Sequence, residues 1–196
     1  MSDVAEIQRK LLNIEAEAFG TAKIFERRKN VLELPRMLLT FFGIAVPLTV
    51  GSTALSFGLD SKVFPYLLSL LGFVSTIQII TALWSIISKW DDKYIFYNES
   101  QKENTSIYNE ARKAKEDANE KNKKEFALKL KELQLKSENR ERLDLDCSIS
   151  DAEKRYATRA RNLYYKAPCH VCQKIPQSMT PDNCDGCGNY KLYKSK

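Results

Sequence analysis

The residues best suited to chemistry are four cysteines near the C-terminus, arranged as two Cys-x-x-Cys pairs. Cys169 and Cys172 form the first pair, and Cys184 and Cys187 form the second after eleven intervening residues. Each pair places two sulfurs and nearby backbone N–H groups around one ion, so the spacing predicts a tetrahedral four-thiolate site. We expect structural zinc at this site, with rubredoxin-like iron, a redox dithiol and disulfides as the alternatives.

The surrounding tail predicts a small zinc ribbon over residues 169–196. Gly188 follows the last cysteine and gives the second turn conformational freedom, while Tyr190 to Tyr193 has the composition of a returning strand. A segment this short has too little core to fold alone, so we expect metal binding to fold it. His170, the only histidine, lies inside the first pair as a spacer, and Cys147 is left as a free thiol.

A closed four-thiolate site does not activate water, because it has no open coordination position. The chain has no second histidine, no phosphate-binding glycine loop and no nucleophile elbow. The sequence therefore predicts a protein that is not an enzyme.

A basic helix precedes the cysteines, in a segment that spans residues 144–168. Ser150 and Glu153 form a capping box that begins a helix running to about Lys166, after a break at 144–150. Basic and tyrosine side chains occur together on this helix, so it is a candidate contact for a nucleotide or nucleic-acid phosphate or for anionic lipid. An ordinary packed helix is the alternative. The basic candidates are Lys154, Arg155, Arg159 and Arg161.

The largest feature that must position these groups is an apolar stretch from residue 37 to residue 88. Met37 to Leu59 is 23 residues without a charge, Val63 to Ser88 is 26 more, and only Asp60, Ser61 and Lys62 separate them. About 20 apolar residues cross a bilayer as a helix, and a helix satisfies its own backbone hydrogen bonds in lipid. The sequence predicts a hairpin of two transmembrane helices.

Small and polar residues inside these two spans are candidates for helix packing or for lining a pore. Proline kinks a helix, small hydroxylated residues allow close approach, and a buried amide needs a partner or water. The candidates are Pro47, Gly51, Ser52, Ser56 and Gln78.

Charge predicts the orientation of the hairpin. Mean hydropathy is -0.41 over the whole chain and the net charge is +6, so only a local reading shows the membrane segment. Both flanks place Lys and Arg beside the apolar stretch, whereas the short loop carries only Lys62. The positive-inside rule therefore predicts that both termini are cytoplasmic.

Two helical segments flank the hairpin. Residues 1–36 show an amphipathic helix with apolar side chains spaced three and four apart, and Leu34-Pro35 favours its end before the membrane. We expect this helix to pack on its own chain, with self-association or binding to the membrane surface as the alternative. Residues 89–143 contain no Gly or Pro beyond the membrane edge and predict one long charged helix, whose apolar seam falls out of phase at Lys121 and Glu125.

The layout and the cysteine spacing together resemble a known family. A polar N-terminal helix, a tight two-span hairpin, a charged helix and Cys169-x2-Cys172-x11-Cys184-x2-Cys187 are similar to the mobilome CxxCx(11)CxxC proteins of bacteria. Without the cysteine tail, the layout also resembles the SLATT-type two-transmembrane effectors of anti-phage defence. The fold class expected is thus a mostly α membrane protein with a two-helix hairpin, cytoplasmic helices and a C-terminal zinc ribbon.

The resemblance implies a bacterial inner-membrane effector of abortive infection. Such an effector oligomerises and disrupts the membrane when a companion sensor releases it, and the sensor is a reverse transcriptase–ncDNA complex or a nucleotide second-messenger synthase. Two alternatives stay open. One is a membrane-tethered scaffold that holds a soluble partner through the ribbon and helices, and the other is a small channel or transporter subunit.

Overall fold

The computed structural model describes residues 4–57, 62 and 64–190, and most of these residues are helical. Its elements are α1 (Val4–Phe57), α2 (Phe64–Ile87), α3 (Trp90–Asp117), a short 3-10 helix (Glu120–Asn122), α4 (Lys123–Asp144) and α5 (Asp151–Tyr165). The mostly α class is confirmed, since no β-strand occurs among these described residues. Asp60, Ser61 and the predicted strand beyond Tyr190 lie outside them.

The chain divides into two compact units. Unit 1 comprises Met1–Arg28 and Phe96–Lys196, and unit 2 comprises Lys29–Ile95. The N-terminal part of α1 therefore belongs with α4, α5 and the cysteine tail.

The core of unit 1 is built around the apolar stripe of α1. Because the stripe repeats every three or four residues, one face of the helix is apolar and must be covered. Side chains of α3 and α4 cover it, and Leu11, Ala111 and Leu133 are completely buried. The cluster consists of Ile7, Leu11, Ile14, Ala18, Ile107, Ala111, Ala114, Leu130 and Leu133. The stripe thus packs within its own chain, as expected.

The single helix expected over residues 89–143 is wrong, because the chain turns back at Asn119. The side-chain oxygen of Asn119 accepts hydrogen bonds from the backbone N–H groups of Lys121, at 3.0 Å, and Asn122, at 3.3 Å. This turn needs neither Gly nor Pro. Local i,i+4 charge pairs contribute only about 0.2–0.5 kcal/mol each, whereas burying one leucine contributes about 1.5–3 kcal/mol. Covering the stripe on α1 therefore outweighs a continuous helix.

Polar contacts show that α3 and α4 are antiparallel. The Arg140 guanidinium, on α4, bonds Glu103 of α3 at 2.7 Å, and Lys136 reaches Glu110. The apolar seam changes phase near Lys121 and Glu125 for the same reason: the two halves belong to two helices that face each other.

A buried polar network fixes the register of α3 against α4. Arg140 is 6% exposed, and its Nη2 lies 2.7 Å from Asp144 Oδ1 and 2.9 Å from Ser100 Oγ. Asn104 Nδ2 donates to Asp144 Oδ2 at 2.9 Å. A one-residue slip would leave these groups buried and unpaired, at a cost of about 1–3 kcal/mol for each.

Helix α5 begins with the predicted capping box, which is confirmed between Ser150 and Glu153. Glu153 also accepts hydrogen bonds from Arg28 of α1 at 2.6 and 2.9 Å. Burial raises the pKa of Glu153, but the bonds from Arg28 and Ser150 outweigh burial and lower the pKa to about 2. At the other end of α5, the Tyr165 hydroxyl donates to Glu15 of α1 at 2.8 Å. Both ends of α5 are therefore tied to α1.

In unit 2, α1 does not end before Pro35, so that expectation is wrong. Pro35 and Pro47 both lie inside α1. Each proline removes one backbone hydrogen bond, at about 3 kcal/mol, whereas ending the helix would leave four carbonyls and four N–H groups without helical partners. Continuing the helix is the smaller loss in an apolar segment.

Unit 2 exposes most of its large apolar side chains. The two helices are long and apolar enough to cross a membrane, and in their most apolar 18-residue windows 0% and 6% of the residues are buried. They approach each other at Gly43, where an added Cβ would lie 3.3 Å from Gln78 Nε2. At the polar end, Arg36 of α1 pairs with Asp91 of α3 at 2.6 Å and stacks on Tyr94.

Truncating a core leucine tests the packing of α3 and α4 in unit 1. Leu133→Ala should lower the free energy of local opening in α3 and α4 by about 2–5 kcal/mol, because Leu133 is completely buried. Amide hydrogen exchange on the detergent-solubilised protein measures this change. Leu135→Ala is the matched control on the same helix, since Leu135 is 53% exposed, and it should change protection little. Equal effects of the two substitutions would contradict the two-helix packing.

Candidate functional site: a four-cysteine metal centre

The four predicted ligands come together in the structure. The Sγ atoms of the two cysteine pairs all lie within 4.8 Å of one another, and the Cys169 and Cys184 sulfurs are 3.9 Å apart. Tetrahedral zinc with Zn–S bonds of about 2.3 Å places its sulfurs about 3.8 Å apart. The donor set and its spacing fit a tetrahedral ion such as zinc.

Both Cys-x-x-Cys segments form the same tight turn. The N–H of Gln173 donates to the Cys169 carbonyl at 2.8 Å, and the N–H of Gly188 donates to the Cys184 carbonyl at 2.7 Å. Backbone N–H groups then point at sulfur: Gly186 N lies 3.4 Å from Cys184 Sγ. The two turns present their sulfurs in matching ways.

The thiol of Cys169 is prepared to act as a thiolate ligand. Its side chain is completely buried, and burial raises its pKa. The backbone N–H groups of Cys172 and Val171 outweigh burial and lower the pKa to about 7. Burial raises the pKa of Cys187, which is 1% exposed. A bound cation supplies the charge that such a buried sulfur needs to ionise.

Gly188 is required by space. A Cβ on Gly188 would lie 2.6 Å from the carbonyl oxygen of Asp182, closer than real Cβ atoms approach. The left-handed residue is instead Gln173, with φ 57°, at the equivalent place in the first turn. Its side chain donates to the His170 carbonyl at 2.9 Å and supports this conformation. The conformational freedom expected of Gly188 is therefore replaced by a close approach.

Helix α5 holds the cysteine module through two arginines. Arg159 is 6% exposed, donates to the Ser178 carbonyl at 2.7 Å and pairs with Asp182 at 2.6 Å. Arg155 donates to the carbonyls of Asp185, at 2.8 Å, and Asn189, at 3.2 Å. These two candidate phosphate contacts are occupied by the module.

Asp182 is a site residue that sequence reasoning missed. Its Oδ1 accepts the N–H of the ligand Cys184 at 2.8 Å while its Oδ2 accepts from Arg159. The bond from Arg159, followed by that from Cys184 N–H, lowers the pKa of Asp182. The available signal was an aspartate two residues before a cysteine, which is typical of a turn that uses its side chain as an acceptor.

The other predicted residues lie apart from this centre. Lys154 and Arg161 line a cleft in unit 1, and Cys147 lies 3.8 Å from the Tyr97 hydroxyl. In unit 2, Ser52 donates to its own helix at the Thr49 carbonyl, and within the described part of the chain nothing lies within 4 Å of a Cβ added at Gly51. Pro47 and Ser56 are exposed on α1, and Gln78 lies beside Gly43.

Residues 8–190 match the family described as Mobilome CxxCx(11)CxxC protein. The chain belongs to this family. The match includes the helical part as well as the cysteine pairs. No curated protein and no solved structure matches the chain, so the resemblance to SLATT-type effectors stays a sequence-based expectation.

Replacing one ligand tests the metal centre of this mobilome CxxCx(11)CxxC protein. The purified protein should contain about one zinc per chain. Cys184→Ser should lower that content severalfold and expose residues 168–190 to protease, because the metal holds a segment with little core of its own. Elemental analysis and limited proteolysis measure both effects.

Cys147→Ser is the matched control, since Cys147 is the one cysteine outside the cluster. It should keep the zinc and the protection of the tail. A metal-free wild-type protein, or a Cys184→Ser protein that keeps its zinc, would contradict this assignment.

Proposed function

We propose that this chain is a bacterial inner-membrane effector of anti-phage defence, which oligomerises and disrupts the membrane when a companion sensor releases it. The observation that carries the proposal is the exposed apolar hairpin of unit 2, joined by α1 and α3 to a polar helical unit with a metal centre. Membership of a mobilome family supports a role connected with mobile genetic elements.

Exposure of the apolar helices supports their insertion in a bilayer. A buried core helix of a soluble domain can have the same length and hydropathy, but its apolar windows would be covered, whereas these are 0% and 6% buried. The Arg36–Asp91 pair and Tyr94 then suit the level of the lipid headgroups. With the basic flanks, this arrangement favours a hairpin with both termini in the cytoplasm.

Disruption of a membrane by two spans requires several chains. Two helices cannot enclose a water-filled path, so a pore must be assembled from copies. Close packing in lipid depends on small residues and shared hydrogen bonds. Among the described residues, nothing lies within 4 Å of a Cβ added at Gly51, and Ser52 and Ser56 are exposed beside Gly51 on α1. This surface is the proposed contact between copies.

The metal centre has a structural part in this proposal. All four ligands come from the protein, so bound zinc keeps no open position for water, and the proposed activity is not enzymatic. Zinc would hold the tail against α5, where a companion sensor can recognise a folded surface.

Reporter fusions test the topology. A reporter fused at Lys62 should report a periplasmic location, and a reporter fused at the C-terminus should report a cytoplasmic location. The reason is that Lys and Arg flank both outer ends of the apolar hairpin. A fusion at Asn109 within α3 is the control and should agree with the C-terminal fusion. A cytoplasmic reporter at Lys62 would refute the hairpin orientation.

Membrane potential tests the effector activity. Expression with the genomic neighbours during phage infection should depolarise the inner membrane and arrest growth. Ser52→Leu should abolish both effects without reducing insertion, since leucine favours lipid but blocks close packing. A potential-sensitive dye and cross-linking in membranes measure the two steps.

Ser69→Leu makes the same change on α2, where Ser69 is also exposed and bonds its own helix at the Pro65 carbonyl. This control should depolarise like the wild type. If Ser52→Leu still forms oligomers and is as toxic as the wild type, the copies do not contact each other through this surface of α1. A monomeric, harmless wild type that co-purifies soluble proteins would overturn the effector and leave the scaffold.

A further inference from the structure

A cleft of about 700 Å³ lies within unit 1. Its walls come from α1, α4, α5 and the connection between α4 and α5, with Asn104 of α3. Its volume lies within the range of small-molecule sites, roughly 300–1,000 Å³. Helices α1 and α5 meet closely at one edge, where a Cβ on Gly20 would lie 3.5 Å from the Ala157 Cβ. The cleft is separate from the cysteine module, since none of the four ligands lines it.

One wall of the cleft carries two cations on α5. Lys154 and Arg161 line it with Ala157 and Thr158 between them, and residues spaced by three, four and seven share one helix face. Among the described residues, Arg161 makes no hydrogen bond or ion pair, and Lys154 pairs only with the exposed Asp151 at 3.2 Å. The neighbouring arginines of α5 are bonded to the cysteine module, so the cleft receives the two cations of the basic helix that remain available.

The facing walls carry acceptors and hydroxyl groups. Glu17 of α1 and Glu141 of α4 line the cleft, and within the described chain neither side chain has an ion-pair partner. Thr21 and Ser137 add hydroxyl groups beside them. A third carboxylate, Asp144, is already neutralised by Arg140 at 2.7 Å. The cleft thus opposes a cationic wall to a wall that accepts hydrogen bonds.

We propose that this cleft binds a small organic phosphate, whose phosphate lies against Lys154 and Arg161 and whose hydroxyl or amino groups donate to Glu17 and Glu141. Arginine and lysine bind phosphate by charge-assisted hydrogen bonds. Among the residues that the structure describes, no aromatic side chain lines the cleft, so recognition rests on polar groups rather than on stacking of a ring. The site does not depend on the proposed membrane activity.

The two walls make the ligand class selective. Inorganic phosphate can pair with the same two cations, but it has no organic hydroxyl or amino group to donate to Glu17 and Glu141, so hydrogen bonds do not offset the repulsion from these carboxylates. A sugar phosphate or a nucleotide supplies donors to both carboxylates. An unphosphorylated sugar or nucleoside leaves Arg161 unpaired.

Titration calorimetry on the full-length protein in detergent tests this site. The probes are AMP, glucose 6-phosphate, inorganic phosphate, adenosine and glucose. At least one of the two phosphate esters should bind about tenfold or more tightly than inorganic phosphate, and the unphosphorylated compounds should not bind at about 1 mM. Preference for AMP or for glucose 6-phosphate distinguishes a nucleotide from a sugar phosphate.

Two variants locate the site. Arg161→Ala should lower the affinity for the bound ester about tenfold or more. Glu141→Gln should lower the affinity for the ester and raise the affinity for inorganic phosphate. Arg142→Ala is the control, because Arg142 is exposed on α4 and does not line the cleft. Thr21→Trp, which places a large ring in the cleft, serves as a second blocking variant if Arg161→Ala lowers the unfolding temperature.

The proposal fails if neither ester binds at about 1 mM. It also fails if binding is unchanged in both Arg161→Ala and Thr21→Trp. A variant that loses ester binding but still depolarises the membrane would separate this site from the proposed effector activity. A variant that keeps ester binding but no longer depolarises the membrane would separate the two in the same way.

Discussion

The structure of unit 1 depends on covering the apolar stripe at the start of α1. A helix with one apolar face has no stability of its own in water, so the stripe must be buried against other side chains. The chain covers it with α3 and α4, which requires the turn at Asn119 and the antiparallel pairing of Arg140 with Glu103. The cleft follows from this packing, because α5 crosses α1 beside the same hairpin.

The sequence predicted those features that depend on neighbouring residues. The capping box at Ser150 and Glu153 and the two Cys-x-x-Cys turns are local patterns, and the structure contains both. The stripe of α1 was predicted for a similar reason, since periodicity alone identifies an apolar face. Its partners α3 and α4 were not, because the pattern does not say which helix covers it.

The features that sequence reasoning missed depend on distant contacts. The chain turns at Asn119, just after the end of α3, without Gly or Pro, and the burial of Leu130 and Leu133 against the stripe favours this turn. The phase change of the apolar seam is visible in the sequence, but the sequence predicts one long helix there rather than a reversal of the chain. Pro35 gives the opposite error, since it predicts the end of a helix that in fact continues. Helix propensity is a weak guide there, because ending the helix would cost more free energy than keeping the proline inside it. The partners of Arg155 and Arg159 lie about 20 to 35 residues away, beyond the reach of a local pattern.

Helix α5 is fixed to α1 at two points, through Glu153 to Arg28 near its start and through Tyr165 to Glu15 at its end. The order of the anchors is opposite on the two helices, so α5 lies antiparallel along about three and a half turns of α1. The arginines that hold the cysteine module lie between the anchors and take no part in them. Helix α5 is therefore held against α1 by contacts that do not involve the cysteine module. Loss of the contacts that Arg155 and Arg159 make with the cysteine module would thus leave both anchors of α5 on α1 intact.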